Sequence, residues 1–174
     1  MKLSEHFTKE EMIASSVAKV KKISNEPTET HLKTLKHTCE YLLEPLRKFL
    51  SETYKTTVYI GINSGYRSKA LNTALGGAKN SQHMTGEACD CRFYIKVCGV
   101  KKIIPYLEVY ERIKEYVEQG KLSIDQCIYE VSGNSVWIHV SHSAWGKSKD
   151  RRQFLKYNNG KYVLDKVIKW NLKI

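Results

Sequence analysis

Residues 126–131 (Gln-Cys-Ile-Tyr-Glu-Val) and 136–141 (Val-Trp-Ile-His-Val-Ser) are runs rich in β-branched and aromatic residues, and only Ser132-Gly133-Asn134-Ser135 separates them. A polar turn this short between two such runs makes a β-hairpin with a four-residue loop. If Val131 faces Val136, then Glu130 faces Trp137 and Ile128 faces His139. Side chains alternate along a strand, so Glu130 and His139 share one face as diagonal neighbours, roughly 7 Å apart. The hairpin therefore sets a carboxylate beside an imidazole.

Other elements follow from local patterns. Thr8 and Glu11 have the spacing of a capping box, which starts a short helix ending near Ser15. Leu32, Leu35, Cys39, Leu42, Leu43, Leu46 and Leu50 form an amphipathic stripe between Pro27 and about Tyr54, with Pro45 as a kink or break. Residues 56–62 read as a strand leading into the turn Asn63-Ser64-Gly65-Tyr66-Arg67-Ser68. A short helix from Ser68 stops at Gly76-Gly77, a polar loop carries His83, and 87–94 read as a strand. A helix runs from about Pro105 to Gln119, and the turn Tyr157-Asn158-Asn159-Gly160-Lys161 joins two terminal strands. Mixed strands and helices with a late hairpin give an α+β class. A length of 174 residues suits one domain, with a helical scaffold over about 1–54 and a catalytic core over about 55–157.

Composition narrows the function classes. No run of about 18 apolar residues occurs, so no membrane span is expected, and the polar N-terminus shows no signal peptide. The reading is synthesis in the cytoplasm. Five cysteines in odd number and without CxxC spacing fit reduced, buried thiols. The net charge of +11 favours an anionic partner such as nucleic acid, a membrane surface or an anionic cell wall. The basic residues are scattered (Lys19, Lys21, Lys22, Lys147, Lys149, Arg151, Arg152) without a nucleic-acid-binding motif, so no nucleic-acid partner is expected.

His83, Asp90 and His139 carry the chemistry. A catalytic zinc site needs three nitrogen or oxygen ligands and one open position, and two imidazoles with one carboxylate satisfy that count. Cys89 and Cys91 flank Asp90 on the opposite strand face, which disqualifies them as ligands of the same ion. Glu130 is then placed to act as general base on water. His142 reads as a surface or supporting group, and His6, His31 and His37 as ordinary exposed histidines. Gly76-Gly77 lacks the lysine and serine of a phosphate loop.

Ser64-Gly65-Tyr66-Arg67-Ser68, Leu71-Asn72, the pattern SxHxxGxAxD over Ser81–Asp90, and Trp137-Ile138-His139-Val140-Ser141 together resemble the zinc D-alanyl-D-alanine carboxypeptidase family. That family includes phage endolysins and shares its fold with the hedgehog signalling domain. The resemblance spans about Asn63 to Ser141. It implies a central antiparallel sheet with flanking helices, Zn2+ held by His83, Asp90 and His139, and Arg67 steadying an oxyanion or a substrate carboxylate. It further implies substrate contacts by Ser81, Tyr66 and Trp137, and a Gly86 that lets the backbone turn close to the metal.

One position departs. Many members place the catalytic carboxylate three residues before the last histidine, where this chain has Val136. Either Glu130 serves from the neighbouring strand, or the chain binds zinc without efficient hydrolysis; Asp125 and Gln126 are weaker substitutes. The expected activity is zinc-dependent hydrolysis of peptidoglycan stem peptides, of the D-Ala-D-Ala carboxypeptidase or L-Ala-D-amino-acid endopeptidase type, by a monomer that reaches the wall after phage-type release. The rivals are a zinc-stabilised binding module of the same fold and a basic nucleic-acid-binding protein.

Overall fold

In a computed structural model, which describes residues 1–144 and 150–169, seven strands form one sheet with helices packed on it. Lys147 and Lys149 lie outside the described residues. The N-terminal segment carries α1 (Lys9–Ile13) and α2 (Ser16–Lys21), and the expected capping box between Thr8 and Glu11 is present. The leucine stripe forms α3 (Glu29–Thr38) and α4 (Glu44–Tyr54), joined by a wide π-type turn over Cys39–Leu43. Pro45 explains that turn. It cannot donate to the carbonyl four residues back and its ring would collide with it, so the helix widens one residue earlier, where the Glu44 amide reaches Cys39 O.

The strands are β1 (Tyr59–Ser64), β2 (Ala88–Val97), β3 (Val100–Ile103), β4 (Gln126–Ser132), β5 (Ser135–Ser141), β6 (Gln153–Asn158) and β7 (Lys161–Val167). Their order is β1-β2-β5-β4-β6-β7, with β3 folding back on the outer half of β2. Pairings are antiparallel except β4 with β6, which run parallel. The sheet is thus mixed rather than wholly antiparallel, and it extends past residue 157 to Val167. Helices α5 (Lys69–Ala74) and α6 (Tyr106–Glu118) complete the α+β architecture.

The β4–β5 register is the one the hairpin dictates: Val131 pairs Val136, Glu130 pairs Trp137 and Ile128 pairs His139. The loop itself is shorter than expected, because Ser132 also pairs Ser135 and leaves only Gly133-Asn134 at the turn. Shortening a hairpin loop symmetrically leaves the facing unchanged. Alternation then gives the sheet two characters. Cys89, Cys91, Phe93, Cys127, Ile138, Val140 and Phe154 point into the core with Leu35, Leu42, Leu43, Leu46 and Leu50 of the helices and Val109, Tyr110, Ile113 and Val117 of α6. Burying each such side chain is worth about 1.5–3 kcal/mol, so this face anchors the sheet. The opposite face carries Asp90, His139, Ile128 and Glu130.

Four cysteines are buried and reduced, as expected, while Cys98 is exposed in the β2–β3 turn. Burial pushes the Cys89 and Cys91 thiols far up, so they stay neutral inside the core. Among the described residues no helix is long and apolar enough to cross a membrane.

Candidate metal centre

Asp90 and His139 are direct partners across the β2–β5 ladder, and Ser64 of β1 pairs Asp90 from the other side. The third group, His83, arrives from a single 3-10 turn over Gln82–Met84. Ser81 caps that turn, accepting the His83 amide at 3.4 Å. The turn is bolted to the segment after β1: the Arg67 amide donates to His83 O at 3.1 Å, and His83 Nδ1 donates to Gly65 O at 2.7 Å. A ring that donates through Nδ1 presents the Nε2 lone pair, and Nε2 faces the other two groups.

The three ligand atoms lie close together. His83 Nε2 is 3.3 Å from His139 Nδ1 and 3.3 Å from Asp90 Oδ1, and His139 Nδ1 is 3.0 Å from Asp90 Oδ1. Bonds of about 2.0–2.1 Å in a tetrahedron imply ligand-to-ligand edges of about 3.3 Å, so this donor set fits zinc. Asp90 has its second oxygen, Oδ2, occupied by Arg67 Nη2 at 2.6 Å, which leaves Oδ1 for the ion. All three ligand residues are buried. Burial alone would raise the Asp90 carboxyl, but the His83 and His139 imidazoles outweigh it and hold the group ionised well below the ordinary carboxylate range.

The triad opens into a cleft of about 400 Å3 that Glu130, Trp137 and Arg67 also line. Burial, and then the Asp90 charge, push Glu130 up to about 7, against the opposing pull of His139 and Arg67. A second recess of about 540 Å3 shares Asp90 and Trp137 and extends toward Asn63 and Tyr106. A separate recess of about 1010 Å3 lies over α4 beside Glu44 and Lys121, away from these groups.

Several expectations are corrected. Tyr66 does not face the cleft; its ring is buried and its hydroxyl pairs with His31 Nδ1 at 3.1 Å, so it supports the Arg67 turn from beneath. Gly86 has a positive φ of 81° and sits against α3, where an added Cβ would come within 3.0 Å of Leu35 and 3.2 Å of His31 O. Its task is close approach to a helix, not to the ion. His142 is buried, bonded to Thr38 Oγ1 at 2.9 Å and stacked on His37, so it is neither a surface group nor at the metal. His31 and His37 are half-buried with those partners, and only His6 is exposed. Asp125, one residue before β4, spends its carboxylate on Arg151 rather than on the triad.

Gln126, Arg151 and Tyr162 also line the cleft and were not foreseen there as a set. Tyr162 reaches it because β6 pairs parallel with β4 and antiparallel with β7, which aligns Glu130, Tyr157 and Tyr162 across three strands. No local pattern announces a parallel pairing.

Two imidazoles and a carboxylate converging in an open cleft on an α+β sheet define a zinc hydrolase centre. The Peptidase M15 family model matches residues 5–111, more than half of the chain, and the protein belongs to that family of zinc-dependent metallopeptidases. The match includes His83 and Asp90 and ends before β4 and β5. No curated protein matches the chain.

Proposed function

We propose that this peptidase hydrolyses the stem peptides of bacterial peptidoglycan, with Glu130 as general base. The observation that carries the reading is the Glu130 carboxylate in the same cleft as His83, Asp90 and His139, brought there by the β4–β5 register. A zinc-stabilised binding module has no use for a half-buried carboxylate at that place.

His83, Asp90 and His139 would hold the zinc ion, which would supply acidification of water and polarisation of the scissile carbonyl. Glu130 takes the proton of the attacking water and passes it to the leaving amine, a transfer worth typically about 10²–10⁴-fold. Arg67, fixed by Ser64 Oγ at 2.8 Å and by Asp90, directs positive charge at the oxygen where negative charge develops. Trp137 and Ser81 border the bound peptide. Recesses on both sides of Asp90 and Trp137 leave room for substrate beyond each end of the scissile amide, which favours an internal cut of the L-Ala-D-amino-acid type over removal of a terminal D-alanine.

The charge of +11 suits docking on an anionic wall, and the enzyme acts there as an endolysin does, as a single chain that carries its whole site. Lysis that does not weaken with rising salt would count against that docking. Digestion of purified peptidoglycan by the zinc-loaded protein, with the fragments weighed by mass spectrometry, tests the main reading: released stem peptides support the endopeptidase form, released alanine the carboxypeptidase form, and no release refutes both.

A further inference from the structure

Two guanidinium groups border the cleft, and they are engaged differently. Arg67 is largely buried, with Nε on Ser64 and Nη2 on Asp90, so its bonds belong to the metal centre. The Arg151 side chain is 53% exposed and yet fixed. It holds Asp125 through Nε at 2.8 Å and through Nη2, while its backbone amide donates to the same carboxylate at 2.9 Å. Asp125 is itself rigid: it is 3% exposed, its amide donates to Ser141 O, and its carbonyl accepts from the Gln153 amide.

An arginine clamped on one edge by a buried carboxylate loses little further freedom on binding a ligand. Arg151 Nη1 has no hydrogen-bond partner among the described residues, and the side chain lines the cleft alongside His83, Asp90, Glu130 and His139. A surface ion pair would have no reason to aim at this cleft. Glu130 opposes an anion in its own vicinity, so the carboxylate that Arg151 attracts belongs to substrate lying further along the cleft, away from the reacting atoms.

We propose that Arg151 is a specificity-determining residue that binds a free carboxylate of the peptide substrate and so sets which peptides align with the metal. This rests on the peptidase reading of the cleft. Two carboxylates of a stem peptide have the right chemistry: the one at its C-terminus and the α-carboxylate left free by γ-linked D-glutamate. A charge-assisted bond to a fixed guanidinium is strong enough to shift affinity about ten- to hundredfold.

The test is calorimetric binding of synthetic stem peptides to the zinc-loaded Glu130→Gln protein, with and without Arg151→Gln, alongside cleavage by the wild type. The peptides are the free acid, the C-terminal amide and the isoglutamine form. The expected result is that one of the two amidations weakens binding at least about tenfold in the Arg151-containing protein and much less in Arg151→Gln, and the amide that does so identifies the carboxylate. Equal binding of all three peptides, or an equal loss on all three in Arg151→Gln, overturns the proposal. Cleavage by the wild type with equal binding leaves the peptidase reading standing, whereas neither cleavage nor binding defeats both. Should Arg151→Gln fail to fold because Asp125 is left unpaired, Arg151→Lys keeps the charge without the fork, and the same discrimination between peptides must fall.

Discussion

Arg67 Nη2 and Asp90 Oδ2 meet at 2.6 Å, while the other Asp90 oxygen lies 3.0 Å from His139 Nδ1. One carboxylate thus links the metal centre to the cleft wall, and Arg67 decides which oxygen remains for the ion. Groups that orient metal ligands typically contribute about 10–100-fold in metal affinity or activity. Arg67→Ala should weaken zinc binding within that range, and Arg67→Lys should recover only part of it, because an ammonium cannot hold Ser64 and Asp90 together. Competition with a chromophoric chelator measures this; unaltered zinc affinity in Arg67→Ala would refute it.

Gly65 offers a test of how the N-terminal segment supports the centre. A Cβ there would fall 2.4 Å from Met12 O, a backbone atom in the segment that receives the Tyr66 amide at 2.7 Å, and Gly65 O is the acceptor for His83 Nδ1. Backbone on both sides leaves no flexible side chain to give way. Gly65→Ala is expected to cost about 1–3 kcal/mol, roughly 2–4 °C of Tm for each, and to lower zinc affinity as well. Thermal melts with and without zinc check it, and a variant that melts with the wild type would contradict it.

His142 gives the fold an acid weakness. Burial, and then the neighbouring His37, lower its pKa below the usual 6.5, against a weaker opposite pull from Asp150, Glu87 and Asp125. The unfolded chain therefore binds a proton near pH 6.5 that the folded chain refuses. Stability from this group is complete above about 6.5 and is lost as pH falls from there toward the lower folded value, by at most about 1.4 kcal/mol per pH unit. Denaturant unfolding of zinc-free protein between pH 7.5 and 5 should show a shallower pH slope for His142→Gln than for the wild type. Identical slopes would assign the acid sensitivity elsewhere.

The parts of this molecule readable in its sequence are those fixed by local pattern. The Thr8–Glu11 capping box, the end of α6 near Gln119 and the facing of Glu130 and His139 depend on residues within a turn or a hairpin. The triad was legible through donor chemistry and motif spacing, although nothing local says that β2 and β5 set Asp90 opposite His139. What escaped depends on distant pairing. The parallel β4–β6 contact delivers Tyr162 to the cleft, and β3 was missed because its four residues pair only with the outer end of β2. Tyr66, Gly86 and His142 were misplaced for one reason: each packs against α3 or its neighbours, and helix-to-sheet docking leaves no periodic trace in the strands or loops that receive it.

The central claim is that His83, Asp90 and His139 hold zinc while Glu130 moves the proton. Metal content and peptidoglycan hydrolysis measured together on the wild type, His139→Ala and Glu130→Gln test it most directly. The account requires zinc in the wild type and in Glu130→Gln, little in His139→Ala, and turnover in Glu130→Gln reduced by about 10²–10⁴-fold. Hydrolysis by zinc-loaded Glu130→Gln at the wild-type rate, or full zinc retention by His139→Ala, would contradict it.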